Sequence, residues 1–264
     1  MRRYALITGA SSGLGLALAE ALARRGRHLV LVARQREALE SIACELTQRF
    51  GVEVLFRVCD LANPLQLTGL LHELDEGTHP IDLLVNNAGI GSVGAFLAHE
   101  WGDEQRLLEL NVLALTRLCH GVGNSMIALG GGQILNVASV AAYLPGPWMS
   151  SYYASKAYVL HFSEALREEF REYGISVSVL CPGPTQSAFF RNAGLDDAAL
   201  RASKLMLSAE EVALQAVNGL AKRRAIIIPG WRNRLASWLP RLLPRALMRR
   251  LSGRITRKLL LSRR

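Results

Sequence analysis

The segment Thr8-Gly-Ala-Ser-Ser-Gly-Leu-Gly15 constrains the fold most. It follows the short apolar run Tyr4–Thr8 and precedes Leu16-Ala-Leu-Ala-Glu-Ala-Leu-Ala23, which a Gly26 stop closes before a second apolar run, His28–Ala33. A short apolar run before a glycine turn reads as a buried strand. The whole is therefore a βαβ unit with glycines at its first turn. Glycines there let backbone approach a pyrophosphate, and the N-terminus of the following helix favours the anion. A glycine-rich turn alone is weak evidence for a dinucleotide, but this one has the strand-before, helix-after context that such binding requires.

The rest of the chain repeats the alternation. Further strands are expected at Val52–Val58, Ile81–Val85, Gln133–Ala138, Ile175–Leu180 and Ala225–Ile228, which makes seven. Helices are expected at 36–50, from about Pro64, at 102–128, at 149–173 and from Ser208, where Glu211 completes a capping box. Alternating strands and helices predict an open, mostly parallel sheet with helices on both faces, a Rossmann-type doubly wound α/β fold in one domain. Ligands of such sheets bind at the carboxyl ends of the strands. Gly9, Asp60, Asn87, Ser139 and Gly183 all fall at such ends. Asp60 there is placed either to contact an adenine or to cap the helix near Pro64.

The end of the second strand bears on cofactor choice. An acid at this point binds the ribose 2′-hydroxyl of NAD, whereas an arginine accommodates the 2′-phosphate of NADP. This chain has Ala33-Arg34-Gln-Arg36 and no acid before Glu37, so NADP is expected. The bland alternative makes Arg34 and Arg36 the solvated start of a helix.

Ser139 ends the fifth strand, and Tyr152 and Lys156 lie four apart in the helix that follows. Residues i and i+4 share a helix face. A cation beside a phenol favours the phenolate and lowers its pKa, which suits a proton donor or acceptor near neutral pH. Tyr153 is three residues from Lys156, so spacing alone does not choose between the two tyrosines. Asn111 sits inside the 102–128 helix, where asparagine is unfavourable.

These segments together resemble the classical short-chain dehydrogenase/reductase family. The residues Thr8–Gly15 match its TGxxxGxG loop, and Asn86-Asn-Ala-Gly89 its NNAG segment. Asn111, Ser139, Tyr152 and Lys156 match its catalytic tetrad, and Pro182-Gly-Pro-Thr185 its PG motif. The resemblance covers about residues 4–230 and implies strand order 3-2-1-4-5-6-7. It implies Tyr152, not Tyr153, as the acid, with Ser139 holding the substrate oxygen. Lys156 lowers the Tyr152 pKa and binds the nicotinamide ribose, while Asn111 fixes a water. Gly9, Ser11, Ser12, Gly13 and Leu14 are implied at the phosphates, with Arg34, Asp60, Leu61, Asn87, Ala88, Gly89, Pro182, Gly183 and Thr185 completing the cofactor site. The expected activity is NADPH-dependent interconversion of a ketone or aldehyde and an alcohol, in a homodimer or homotetramer formed through the 102–128 and 149–173 helices. The alternative is a non-catalytic dinucleotide-binding regulator or membrane-surface scaffold, against which the intact tetrad argues.

Two stretches add to this. Residues 186–207 carry Phe189, Phe190, Leu195, Leu200, Leu205 and Met206, and are expected to form a lid over a hydrophobic substrate. The bland alternative is that they seal the edge of the core. Residues 231–264 form a basic amphipathic tail beyond the 1–230 domain. The chain has 31 basic and 22 acidic residues, and 14 of the basic ones but no acid lie from Lys222 onward. The first 221 residues thus hold 17 basic against 22 acidic, a net of −5, and the overall +9 belongs to the tail. Leu235, Leu239, Leu242, Leu243, Leu247, Leu251, Ile255 and Leu259 recur among arginines at helical spacing, with Pro240 and Pro244 expected to break the helix. Such a tail suits an anionic membrane surface or packs its stripe on protein. No nucleic-acid partner is expected, because arginine on leucine spacing lacks groove-reading elements. Cys44, Cys59, Cys119 and Cys181 form no CxxC, and neither a signal peptide nor a membrane span is read. A cytoplasmic protein without a metal is expected, with membrane association through the tail left open.

Overall fold

The computed structural model describes residues 2–76, 78–186, 193 and 206–261. Seven strands form one parallel sheet: β1 (Tyr4–Thr8), β2 (His28–Ala33), β3 (Val54–Val58), β4 (Ile81–Asn86), β5 (Gly132–Val137), β6 (Ile175–Leu180) and β7 (Ile226–Ile227). Their spatial order is β3-β2-β1-β4-β5-β6-β7, as the family resemblance implies. Strands covered on both faces read as continuous apolar runs, and β1 and β4 do so, with Ala5, Leu6, Ile7, Leu84 and Val85 fully buried.

Helices α1 (Gly13–Ala23), α2 (Arg36–Phe50) and a later helix α7 (Ala209–Ala221) cover one face. Helices α3 (Pro64–Glu76), α5 (Leu115–Ala128) and α6 (Ser150–Glu169) cover the other. Two apolar layers result, Leu18, Leu39, Val212 and Ala216 in the first and Leu67, Leu118, Met126 and Val159 in the second. Ser208 caps α7 through the expected box, accepting from the Glu211 amide at 3.1 Å.

The long helix expected at 102–128 is interrupted. Helix α4 (Trp101–Leu108) passes into a π-helical turn, Glu109–Ala114, before α5 begins. Asn111 lies in that turn. A π-turn relieves the helical spacing locally and often marks a functional site; here it aims the Asn111 amide at the chain after β4.

The tail forms two helices, α8 (Trp231–Leu242) and α9 (Arg245–Leu261). Pro240 lies inside α8, contrary to expectation, and Pro244 makes the break. Leu243 before it is extended (φ −108°, ψ 146°), the region to which a following proline pushes its neighbour. Most of the expected 186–207 lid, including Phe189, Phe190, Leu195, Leu200 and Leu205, lies outside the described residues. No helix among the described residues is long and apolar enough to cross a membrane.

Candidate active site

The sheet reverses direction of winding at β1, with β2 on one side and β4 on the other. At such a switch point the loops diverge and leave a crevice. A cleft of about 640 Å³ lies there. Its walls are the β1–α1 turn, the carboxyl ends of β2 to β6 and part of the tail.

The glycine turn is built for close approach. Gly9 has φ +64° and Gly13 φ +55°, a region that costs a side-chain-bearing residue. A Cβ on Gly15 would collide with the Gly9 carbonyl oxygen, and one on Gly9 would lie 3.0 Å from the Ala88 Cα. The chain after β4 clasps this turn. Asn87 Nδ2 donates to the Thr8 carbonyl at 3.0 Å, and the Thr8 hydroxyl accepts from the Asn87 and Ala88 amides, each at 3.0 Å. Ser11, Ser12, Gly13 and Leu14 complete the cradle, and among the described residues no carboxylate lines it.

Arg34 and Gln35 stand exposed at the end of β2, and both line the cleft. Among the described residues lining the cleft, the only carboxylate is Asp60. It pairs with Arg106 at 2.8 Å and accepts from the Ala62 amide at 3.1 Å. Burial resists its ionisation, but the Arg106 hydrogen bond, the Ala62 amide and the charges of Arg106 and Arg34 outweigh burial and hold it below the usual carboxylate range. Asp60 does not cap α3. Asn63 does, accepting from the Leu65 and Gln66 amides at 3.0 and 3.2 Å.

Ser139, Tyr152 and Lys156 meet on the opposite wall. The Ser139 hydroxyl accepts from the Ala141 amide at 3.1 Å and is hydrogen-bonded to the Tyr152 hydroxyl. Tyr153 also lines the cleft, but its hydroxyl is bonded to Thr256 and its ring packs against Gly146, away from Ser139. Geometry thus separates the two tyrosines that spacing left equivalent. Lys156 Nζ donates to the Val137 carbonyl at 2.9 Å and lies 5.9 Å from the centre of the Tyr152 ring.

The electrostatics differ from the spacing argument. Burial pushes the Tyr152 phenol well above its ordinary value, and only the Ser139 hydrogen bond opposes it. Burial also pulls Lys156 down to about 8. In this structure the lysine's proton is held by a strand carbonyl, so desolvation, not the neighbouring cation, sets the proton affinity of the phenol. Cys181 is pushed up to about 12 by burial and is an inert, packed thiol.

Asn111 does not line the cleft; it stands just behind it, 1% exposed. Its Oδ1 accepts from the Ile90 amide at 2.9 Å, and its Nδ2 donates to the Ile90 carbonyl at 2.8 Å and to Ser155 Oγ at 3.1 Å. A Cβ on Gly89 would sit 3.2 Å from Asn111 Oδ1 and 3.4 Å from Lys156 Nζ. The missing side chain at Gly89 is what lets the lysine and the amide come together.

Leu61, Ala88, Gly89, Pro182, Gly183 and Thr185 all line the cleft. Sequence reading missed Gln35, Arg106 and four tail residues, Asn233, Ala236, Ile255 and Thr256, which close its far side. Asn233 is seated directly on Gly183, where any side chain would strike it. The glycine of the PG motif carried that signal; its partner, 50 residues on in a tail with no family pattern, did not.

A doubly wound sheet with a glycine cradle at its switch point, faced by a serine, a tyrosine and a lysine, defines a Rossmann-type oxidoreductase architecture. The chain belongs to the short chain dehydrogenase family, which it matches over residues 3–198. It is 35% identical over 178 residues to the ketoacyl reductase HetN of Nostoc, covering 67% of this chain and 62% of that one. It is 32% identical over 183 residues to the very-long-chain 3-oxoacyl-CoA reductase of Anas platyrhynchos, covering 68% of this chain and 58% of that one. In both cases the match spans less than two thirds of the relative. A short-chain dehydrogenase from Sphingobium yanoikuyae, solved in complex with NADPH, superposes with a TM-score of 0.82 at 35% identity, covering 91% of this chain and 93% of that one.

Proposed function

We propose that the protein is an NADPH-dependent reductase of an apolar ketone or aldehyde. The observation that carries this is the meeting of Ser139, Tyr152 and Lys156 across one cleft from a glycine turn that a Cβ would fill. The cradle fits a dinucleotide: its glycines admit a pyrophosphate, and among the described residues it carries no acid to repel one. Arg34 at the end of β2, with no carboxylate beside it before Glu37, favours a 2′-phosphate over a free 2′-hydroxyl. Relatives and neighbours named for ketoacyl and 3-oxoacyl-CoA reduction and for an NADPH complex agree with this reading.

Gly9, Ser11, Ser12, Gly13 and Leu14 would hold the phosphates, Arg34 the 2′-phosphate, and Asp60 and Leu61 the adenine. Asn87, Ala88, Gly89, Pro182, Gly183 and Thr185 would hold the nicotinamide half. The bound cofactor supplies the hydride. The protein's own part is the proton and the oxygen. Tyr152, kept as a phenol by burial, donates its proton to the substrate oxygen as negative charge develops there. Ser139, already bonded to that phenol, donates a second hydrogen bond to the same oxygen. Lys156, near 8, exchanges protons at physiological pH and resupplies the phenol. Asn111 clamps Ile90 and so holds the Gly89 backbone against the lysine; a water on its amide would extend the proton path.

The same reading includes a homodimer or homotetramer. Leu113 and Tyr158 are exposed along the π-turn and α6, at 57% and 39%, and provide apolar surface for it. A panel of carbonyls from short to long chain, assayed with NADPH and NADH side by side, tests the function. Reduction of a hydrophobic member with NADPH, lost by roughly 10²–10⁴-fold in Tyr152→Phe, is the expected result. Full activity in that variant removes Tyr152 as the acid.

A further inference from the structure

Among the described side chains of the tail helices, the inward rows are mostly polar and several large apolar groups face out. Asn233 and Ser237 of α8, and Met248, Ser252 and Thr256 of α9, turn inward and are 3% to 8% exposed. Ser252 donates to the Pro145 carbonyl at 2.7 Å, and Thr256 is bonded to Tyr153. The inward row Met248-Ser252-Thr256 has i, i+4 spacing, and the row Leu247-Leu251-Ile255 is displaced from it by one residue, about 100° around the helix. That second row faces out. Ile255 is 63% exposed and Leu247 44%, with Trp231 at 69%, Leu235 at 67% and Trp238 at 56% on the same two helices. A helix that only sealed the domain would bury its leucines and expose its serines.

Charge identifies what the face suits. Arg250, Arg254 and Arg257 stand exposed on the side of α9 next to this row, and no acid occurs after Lys222. A second copy docked tail to tail would bring arginine against arginine. A nucleic-acid duplex would pair with the arginines and leave the leucine and isoleucine without apolar partners. An anionic bilayer satisfies both sets, taking the apolar side chains at the acyl boundary and the arginines among the headgroups. The first 221 residues, at net −5, are repelled by the same surface, which orients the molecule tail-down.

Ala236 and Ile255 belong to this face and also line the active cleft. The cleft therefore opens where the apolar face is. We propose that α8 and α9 dock on an anionic membrane surface and present the mouth of the cleft to it, so that the substrate is an apolar carbonyl compound entering from the lipid. The docking stands on the tail alone; the substrate rests on the reductase reading.

The test is flotation of the full chain with phosphatidylcholine vesicles and with vesicles also containing phosphatidylglycerol. Binding to the anionic vesicles only, weakened by salt, is expected. Arg250→Glu and Arg254→Glu should each weaken it by about fivefold or more. Leu235→Asp with Leu251→Asp should weaken it by about tenfold or more, with turnover of a short water-soluble ketone unchanged, since neither residue lines the cleft. A long-chain ketone in anionic vesicles should be reduced faster than in zwitterionic ones by the parent chain, and equally by the leucine pair variant. Absence of flotation on anionic vesicles overturns the proposal. So does lipid-free self-association that the leucine pair abolishes, or tight binding of a DNA duplex that the pair leaves intact. Docking without reduction of any carbonyl supports the membrane face and overturns the reductase reading.

Discussion

Lys156 is buried against a strand carbonyl, and its replacement should make the protein more stable while removing its activity. The ammonium is 5% exposed, and burial brings its pKa from 10.5 to about 8. A folded-state value below the unfolded one means that folding disfavours the protonated form. The cost is full below about 8, shrinks as pH rises from there to 10.5, and vanishes above it. At pH 7 that difference corresponds to roughly 3 kcal/mol. Lys156→Met keeps the length and apolar stem but removes the charge. It also leaves the Val137 carbonyl without the 2.9 Å partner, a loss of about 1 kcal/mol. The net expectation is a gain of about 2 kcal/mol at pH 7, seen as a rise in Tm of roughly 4–8 °C for a chain of this size. Urea unfolding of parent and variant at pH 7 and again near pH 10 reads it. The gap should narrow at the higher pH, and turnover should be lost at both. A variant less stable than the parent at pH 7, or a gap that does not change with pH, refutes burial as the dominant influence on this lysine.

Other perturbations probe the remaining parts of the site. Arg34→Ala should raise KM for NADPH by about tenfold with little change in KM for NADH, since it removes one charge-assisted contact; equal shifts for both cofactors sink its assignment to the 2′-phosphate. Gly15→Ala should weaken NADPH binding and cost about 1–3 kcal/mol of stability through the collision with the Gly9 carbonyl, read by cofactor fluorescence titration and thermal unfolding. Asn111→Leu should lower kcat more than KM and free the Gly89–Ile90 backbone, visible as faster amide exchange there; unchanged exchange argues against the clamp. Asn233→Ala should alter preference across the carbonyl panel and weaken NADPH binding less than Gly15→Ala does, because it loosens the support of Gly183 without touching the glycine turn; unchanged preference argues against a tail contribution to the cleft wall.

Much of this site was legible because its parts are local. The βαβ pattern around Thr8–Gly15 fixes where a phosphate cradle sits, because strand, glycine turn and helix are decided by residues next to one another. The strand ends carry Asp60, Asn87, Ser139 and Gly183 for the same reason, and parallel alternation makes those ends share one edge. The lost details are those that depend on distant partners. Asp60 was ambiguous until Arg106, 46 residues away, claimed its carboxylate and Asn63 took the helix cap.

From sequence alone came the layer architecture and the edge of the sheet where the cleft lies, because periodicity and turn chemistry are short-range; the preference for Tyr152 over Tyr153 came from the family resemblance and not from spacing. Tertiary structure decided which way the groups face. Burial reversed the expected influence on Tyr152, since desolvation depends on everything packed around a side chain and not on what lies four residues away. It also decided the tail: the rows Met248-Ser252-Thr256 and Leu247-Leu251-Ile255 lie one residue apart, and docking against Pro145 and Tyr153 turns the first inward and leaves the second exposed.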